Sequence, residues 1–177
     1  MEEFRPEVRF MEGFRTHFFR DCAAQGDQYP SGWRTKYRMY SHHGQNELIG
    51  CLILLVDDHK DTLDAIRLFL EFRRARVLAT SVGQDGLDLV TRHRPKVIIS
   101  DLSMPEMDGY ELLQHVRQLT PEEGGNAPII ALTGCTDADE RRKALDAGFA
   151  RFLTKPVDPD HLVDEICHVL ESDIERN

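Results

Sequence analysis

The sequence predicts an α/β fold, a five-stranded parallel sheet with helices on both faces. Three observations predict it. Short apolar runs recur from Cys51 onward, reading CLILLV, RVLATSV, KVIIS, APIIALT and ARFLT, and each has the composition of a strand buried on both faces. Between them, apolar residues return at helical spacing, as in Leu63, Ile66 and Leu70 and again in Leu112, Leu113, Val116 and Leu119. Helix start and stop signals fall at the edges of these stretches.

Taken in chain order, residues 1–50 differ in kind from the rest. Phe4, Val8, Met11, Phe14 and Phe18 recur three or four residues apart with charges between them. That spacing predicts an amphipathic helix over 6–24, closed near Gly26. Residues 26–50 read as a linker, rich in Gly, Pro and Ser, whose WRTKYRMY core mixes basic and aromatic residues. A tether, or an arm packed on the domain or on a second copy, fits this better than a nucleic-acid contact. The folded domain is expected over 51–173. Within it, Asp108 with Glu111 and Asp137 with Glu140 have the spacing of helix-capping boxes. Gly148 ends a helix after RKALDA, and Asp158-Pro159 opens the last one. Repeated β-α alternation implies right-handed crossovers and the flavodoxin-like strand order 2-1-3-4-5, with ligands at the carboxyl ends of the strands.

Composition narrows the function. The chain has 177 residues, 41 % of them apolar, which suits one soluble domain with an appendage. Its longest apolar run, Leu48 to Val56, is broken by Gly50 and too short to cross a bilayer. Charges fill the N-terminus where a signal peptide needs an apolar stretch, so a cytoplasmic, membrane-free protein is expected. Cys22, Cys51, Cys135 and Cys167 form no C-x-x-C pair, and the eight histidines show no zinc-ligand spacing. Reduced thiols and no zinc site are expected. Residues 1–50 balance seven Lys/Arg against seven Asp/Glu, while 51–177 hold fifteen against twenty-four, so the net charge of −9 sits in the domain. Such a surface repels a phosphate backbone and argues against DNA binding.

The strand ends carry the chemistry. The first apolar run finishes on Asp57-Asp58, the third on Asp101 and the fourth on Thr133, and the fifth is followed by Lys155-Pro156. In the expected strand order these converge on one edge. Carboxylates that close cannot all stay charged without a cation. An oxygen-rich set without histidine favours Mg²⁺, with Mn²⁺ as an alternative. Lys155 adds a mobile positive charge and Thr133 a hydroxyl. The set suits phosphoryl transfer, with Asp101, which stands alone, as the attacking carboxylate.

These residues resemble the receiver domain of two-component response regulators. LILLVDDHKDTL is similar to the family's acidic-pair strand, VIISDLSMPEMDGYEL to its phosphoacceptor loop, PIIALTG to its switch strand and FLTKPVDPDHL to its lysine-proline segment. The resemblance implies that Asp101 is phosphorylated. It implies a Mg²⁺ ion held by Asp57, Asp58, Asp101 and the backbone carbonyl of Ser103. Lys155 would pair with the phosphoryl group across a Lys-Pro bond that is usually cis, Thr133 would swing toward it, and Phe152 would be the aromatic switch. Gly134 would leave the site mouth open, and Ser103 and Cys135 occupy positions that influence acyl-phosphate lifetime; oxidation of Cys135 is a further regulatory option.

The function expected is a single-domain, phosphoaccepting regulator served by a histidine kinase or histidine phosphotransfer protein. It would signal by protein contact through the helix 4–strand 5–helix 5 face, about Asp137 to Leu170, with a homodimer among the options and no DNA-binding domain. It would promote only its own phosphorylation and dephosphorylation. Three alternatives compete: a receiver separated from a hybrid kinase, a receiver-like scaffold that is never phosphorylated, and a Mg²⁺-dependent phosphatase of the haloacid-dehalogenase type. The last wants a second aspartate two residues after the first, where this chain has His59 or Lys60.

Overall fold

A computed structural model of the chain describes residues 48–174. The helix expected over 6–24 and nearly all of the linker lie outside them. Five strands form one parallel sheet: β1 (Leu52–Val56), β2 (Arg76–Thr80), β3 (Val97–Asp101), β4 (Ile129–Thr133) and β5 (Arg151–Thr154), ordered β2-β1-β3-β4-β5. Five helices alternate with them: α1 (Lys60–Phe72), α2 (Gly83–His93), α3 (Gly109–Gln118), α4 (Ala138–Ala147) and α5 (Pro159–Ile174). The architecture and strand order are those the alternating runs predict.

Strand periodicity sorts the core into two layers. Ile53, Leu55, Val97, Ile99, Ile130, Leu132 and Leu153 face α1 and α5, meeting Leu63, Ile66 and Leu70 on one and Leu162, Val163 and Ile166 on the other. Leu54, Val56, Ile98, Ile129, Ala131 and Phe152 face the other way, onto Val90 of α2, Leu112, Leu113 and Val116 of α3 and Ala144 of α4. Each large side chain so buried contributes about 1.5–3 kcal/mol. Leu48 joins the first layer, and its N–H donates to Arg73 O at 2.9 Å, so packing begins ahead of Cys51.

Two local expectations fail. The RVLATSV run is not buried on both faces. Arg76 is exposed and Val77–Thr80 are half-buried, because β2 is an edge strand with β1 as its sheet neighbour. The second capping box does not close either. Asp137 caps α4 but accepts from Asp139 N at 3.0 Å, while Glu140 is taken by Tyr110, whose Oη donates to it at 2.7 Å. The other signals act as read. Asp108 and Glu111 exchange both bonds of a capping box. Gly148 caps α4 at φ +112°, and Asp158 accepts from His161 N at 2.9 Å.

Candidate functional site

Register decides what can meet at the carboxyl edge. Val56 pairs with Ser100, so Asp57 comes level with Asp101 one residue on. Continuing the alternation of β1 and β3, both aspartates share the face of Ile53, Leu55, Val97 and Ile99. Lys155, two residues beyond Leu153, falls on that face as well. Thr133 has the opposite parity, one residue beyond Leu132.

The contacts follow this division. Lys155 Nζ lies 2.5 Å from Asp101 Oδ2 and 2.6 Å from Asp57 Oδ2. From the far side of β4 it reaches back to β3 and β1, which a long unbranched stem permits. Asp57 is fully buried and Asp101 nearly so, at 0 % and 4 % exposure. Burial disfavours the Lys155 ammonium, yet the adjacent Asp101 and Asp57 carboxylates outweigh that and raise its pKa. The lysine is therefore charged throughout the neutral range. The Lys155-Pro156 bond is cis.

The backbone holds the carboxylates from the other side. Ser103 N donates to Asp101 Oδ1 at 3.1 Å, and His59 N donates to Asp57 Oδ1 at 2.9 Å. Thr133 Oγ1 accepts from Cys135 N at 3.2 Å, so its hydroxyl hydrogen is still a donor for another group. Phe152 is buried in the layer beneath α3 and α4, its carbonyl accepting from Arg141 Nη1 at 3.3 Å. Nothing lies within 4 Å of a Cβ built on Gly134.

Histidine is part of this cluster, contrary to the oxygen-only set expected. His59 Nδ1 stands 2.8 Å from Asp58 Oδ1 and 3.6 Å from Asp57 Oδ1. Donor atoms of Asp57, Asp58, His59 and Asp101 all lie within 4.8 Å of one another. The signal was in the sequence, since His59 directly follows the acidic pair, but a spacing rule built on pairs of histidines does not detect one beside carboxylates.

The chemistry of the donor set fits a divalent cation. Asp57 Oδ2 and Asp58 Oδ1 are buried atoms with no aligned hydrogen bond, although each has a cation or imidazole within ion-pair distance. Ion pairing without hydrogen-bond geometry leaves lone pairs unused, which is costly in a buried site. Asp57, Asp58 and Asp101 could hold a hard ion such as Mg²⁺ through these oxygens.

Loop geometry fixes Asp101 in turn. Met104, three residues on, is buried in the layer that holds Val56 and Leu112, and Gly109 N donates to Leu102 O at 3.2 Å. A Cβ on Gly109 would stand 2.4 Å from Asp101 O and 2.9 Å from Leu102 Cα, both backbone atoms. Gly109→Ala is expected to destabilise the fold by about 1–3 kcal/mol and to weaken divalent-cation binding by shifting Asp101. Urea denaturation and a metal titration check this; an unchanged midpoint with unchanged affinity contradicts it.

A family model described as the response regulator receiver domain matches residues 53–167. The chain belongs to that family. The receiver is also similar to an uncharacterised 14.6 kDa protein of Leptolyngbya boryana, 45 % identical over 63 % of this chain and 83 % of that one. It is 34 % identical to the transcriptional regulatory protein KdpE of Mycobacterium tuberculosis, over 71 % of this chain and 52 % of KdpE, and so spans about half that protein's length. Among solved structures, a response regulator receiver domain protein from Clostridium thermocellum aligns with a TM-score of 0.65 and 29 % identity, over 72 % of this chain and 99 % of that one. Receivers are signalling modules rather than classical enzymes, and this one is homologous to two-component response regulators. Among the described residues no helix is long and apolar enough to cross a membrane.

Proposed function

We propose that this receiver accepts a phosphoryl group on Asp101 from a histidine kinase or a histidine phosphotransfer protein, and signals through a protein partner. The observation that carries this reading is the shared ammonium: Lys155 bridges Asp101 and the deeply buried Asp57 across three strand ends. Asp101 would be the nucleophile, since its carboxylate ends β3 between the Ser103 N–H and the lysine. A carboxylate oxygen forms the bond to phosphorus as the bond from phosphorus to the donor's imidazole nitrogen breaks, and that nitrogen keeps the electron pair. Asp57, Asp58, Asp101 and the Ser103 carbonyl would hold Mg²⁺ or Mn²⁺, which supplies charge neutralisation for the phosphoryl oxygens.

Uptake changes the local balance of charge. A phosphoryl group brings about −1.5 to −2 charges and three acceptor oxygens. Lys155 then gains a stronger partner than the bare carboxylate, and the Thr133 hydroxyl gains an acceptor. Thr133 lies at the root of the loop into α4, so the α4–β5–α5 face, with Phe152 packed beneath α4, is where two arrangements would differ. A few kcal/mol of differential interaction shifts such populations substantially.

Incubation with Mg²⁺ and acetyl phosphate tests the proposal. The expected product is one phosphoryl mass per chain, labile to hydroxylamine and absent when EDTA replaces Mg²⁺. A chain that stays unmodified with Mg²⁺ present argues for a scaffold instead. Mg²⁺ alone at a hundred times its Kd is expected to stabilise the fold by about 2.7 kcal/mol. The rise in unfolding midpoint should vanish in Asp57→Asn, and a midpoint indifferent to Mg²⁺ in the unmutated chain would remove the cation from the account.

A further inference from the structure

We infer that His59 is a side-chain ligand of the metal centre, and that its nitrogen makes the centre prefer a first-row transition ion such as Mn²⁺ over Mg²⁺. The inference rests on reading the acidic cluster as a cation site and goes beyond it by assigning an imidazole to that site.

Local structure places the ring. The chain leaves β1 on Asp57-Asp58 and enters α1 at Lys60, with His59 as the residue preceding the helix. The His59 N–H is held by Asp57 Oδ1, and the ring turns back over the same carboxylates. Its Nδ1 lies 2.8 Å from one oxygen of Asp58 and 3.6 Å from one of Asp57. Bonds of about 2.1 Å place neighbouring donors of an octahedron about 3 Å apart, so the Nδ1–Asp58 separation is of the size expected for adjacent positions around one ion, and the Nδ1–Asp57 separation is wider. Asp58 Oδ1 is itself a buried oxygen without a hydrogen-bond partner, and an ion bound between it and Nδ1 would replace their direct pairing.

Ligand softness then sets the preference. Mg²⁺ takes oxygen and keeps its waters, whereas imidazole nitrogen adds affinity for first-row ions in the Irving–Williams order. The ring is 69 % exposed, so the Nε2–H opposite the metal can be met by water, the usual requirement for an imidazole ligand bound through Nδ1.

The test uses the full chain loaded with Mn²⁺ and examined by pulsed electron paramagnetic resonance, with Mn²⁺ and Mg²⁺ affinities measured by calorimetry. Directly coordinated nitrogen modulation is expected in the unmutated chain and absent in both His59→Phe and His59→Asn. Mn²⁺ affinity should fall about tenfold or more in the variants, with Mg²⁺ affinity changed far less. Mn²⁺ bound without nitrogen modulation, or an equal loss for both ions, overturns the role of His59 and leaves the carboxylate site standing. Failure of the unmutated chain to bind either ion overturns the cation site itself, and the inference with it.

Discussion

An Asp101→Asn chain is expected to fold, to keep its sheet, and to take up no phosphoryl group. The amide cannot form an acyl phosphate, so phosphorylation from acetyl phosphate should fall by about three orders of magnitude or more. Structure should survive, because the amide oxygen can still accept from Ser103 N, one of the two donors now on Asp101, while Lys155 keeps its pairing with Asp57 Oδ2. A slight gain in stability is expected, since one of several converging carboxylates becomes neutral. Circular dichroism and intact-mass measurement on the same sample separate the two effects. A folded Asp101→Asn chain that is phosphorylated at the original rate would move the acceptor elsewhere.

Lys155→Ala should give the largest loss of stability. Removing the ammonium leaves Asp57 and Asp101, at 0 % and 4 % exposure, facing one another across adjacent strands. An uncompensated buried charge costs about 3–5 kcal/mol; water reaching the partly open position of Lys155 lowers the expectation to about 2–3 kcal/mol. The same change should tighten Mg²⁺ binding, because the lysine and the cation compete for Asp57 Oδ2 and Asp101 Oδ2. Added Mg²⁺ should therefore restore most of the lost stability while leaving phosphorylation slow. Denaturation with EDTA and with Mg²⁺ checks both directions. A metal-free variant as stable as the parent would mean that the two carboxylates are not held by that lysine.

Much of this was legible because the signals are periodic or local. Buried strands show as apolar runs, and the helices show through residues such as Leu63, Ile66 and Leu70, which reach the core as their spacing requires. Strand order follows from β-α alternation, and order alone brings Asp57, Asp101 and Lys155 to one edge. What escaped depends on contacts distant in sequence or on position in the sheet. RVLATSV has the composition of an inner strand, and only the topology shows that it lies at the edge. Glu140 has capping-box spacing, but Tyr110, thirty residues earlier, competes for its carboxylate and wins. The parity that sets Thr133 apart from the carboxylates needs a register, which spacing does not supply. His59 escaped for a different reason: it stands beside carboxylates, where the spacing of zinc-ligand histidines gives no signal.

A phosphoaccepting receiver must form a reversible bond between the side chain at position 101 and phosphorus. Borohydride reduction of the Mg²⁺- and acetyl phosphate-treated chain, followed by peptide mass spectrometry, tests it at the level of a single residue, because reduction converts an aspartyl phosphate to homoserine. Homoserine at position 101, and its absence when EDTA is present, is the predicted result. Homoserine at Asp57 or Asp58, or aspartate recovered intact at all three positions from a folded, Mg²⁺-loaded chain, would contradict the account.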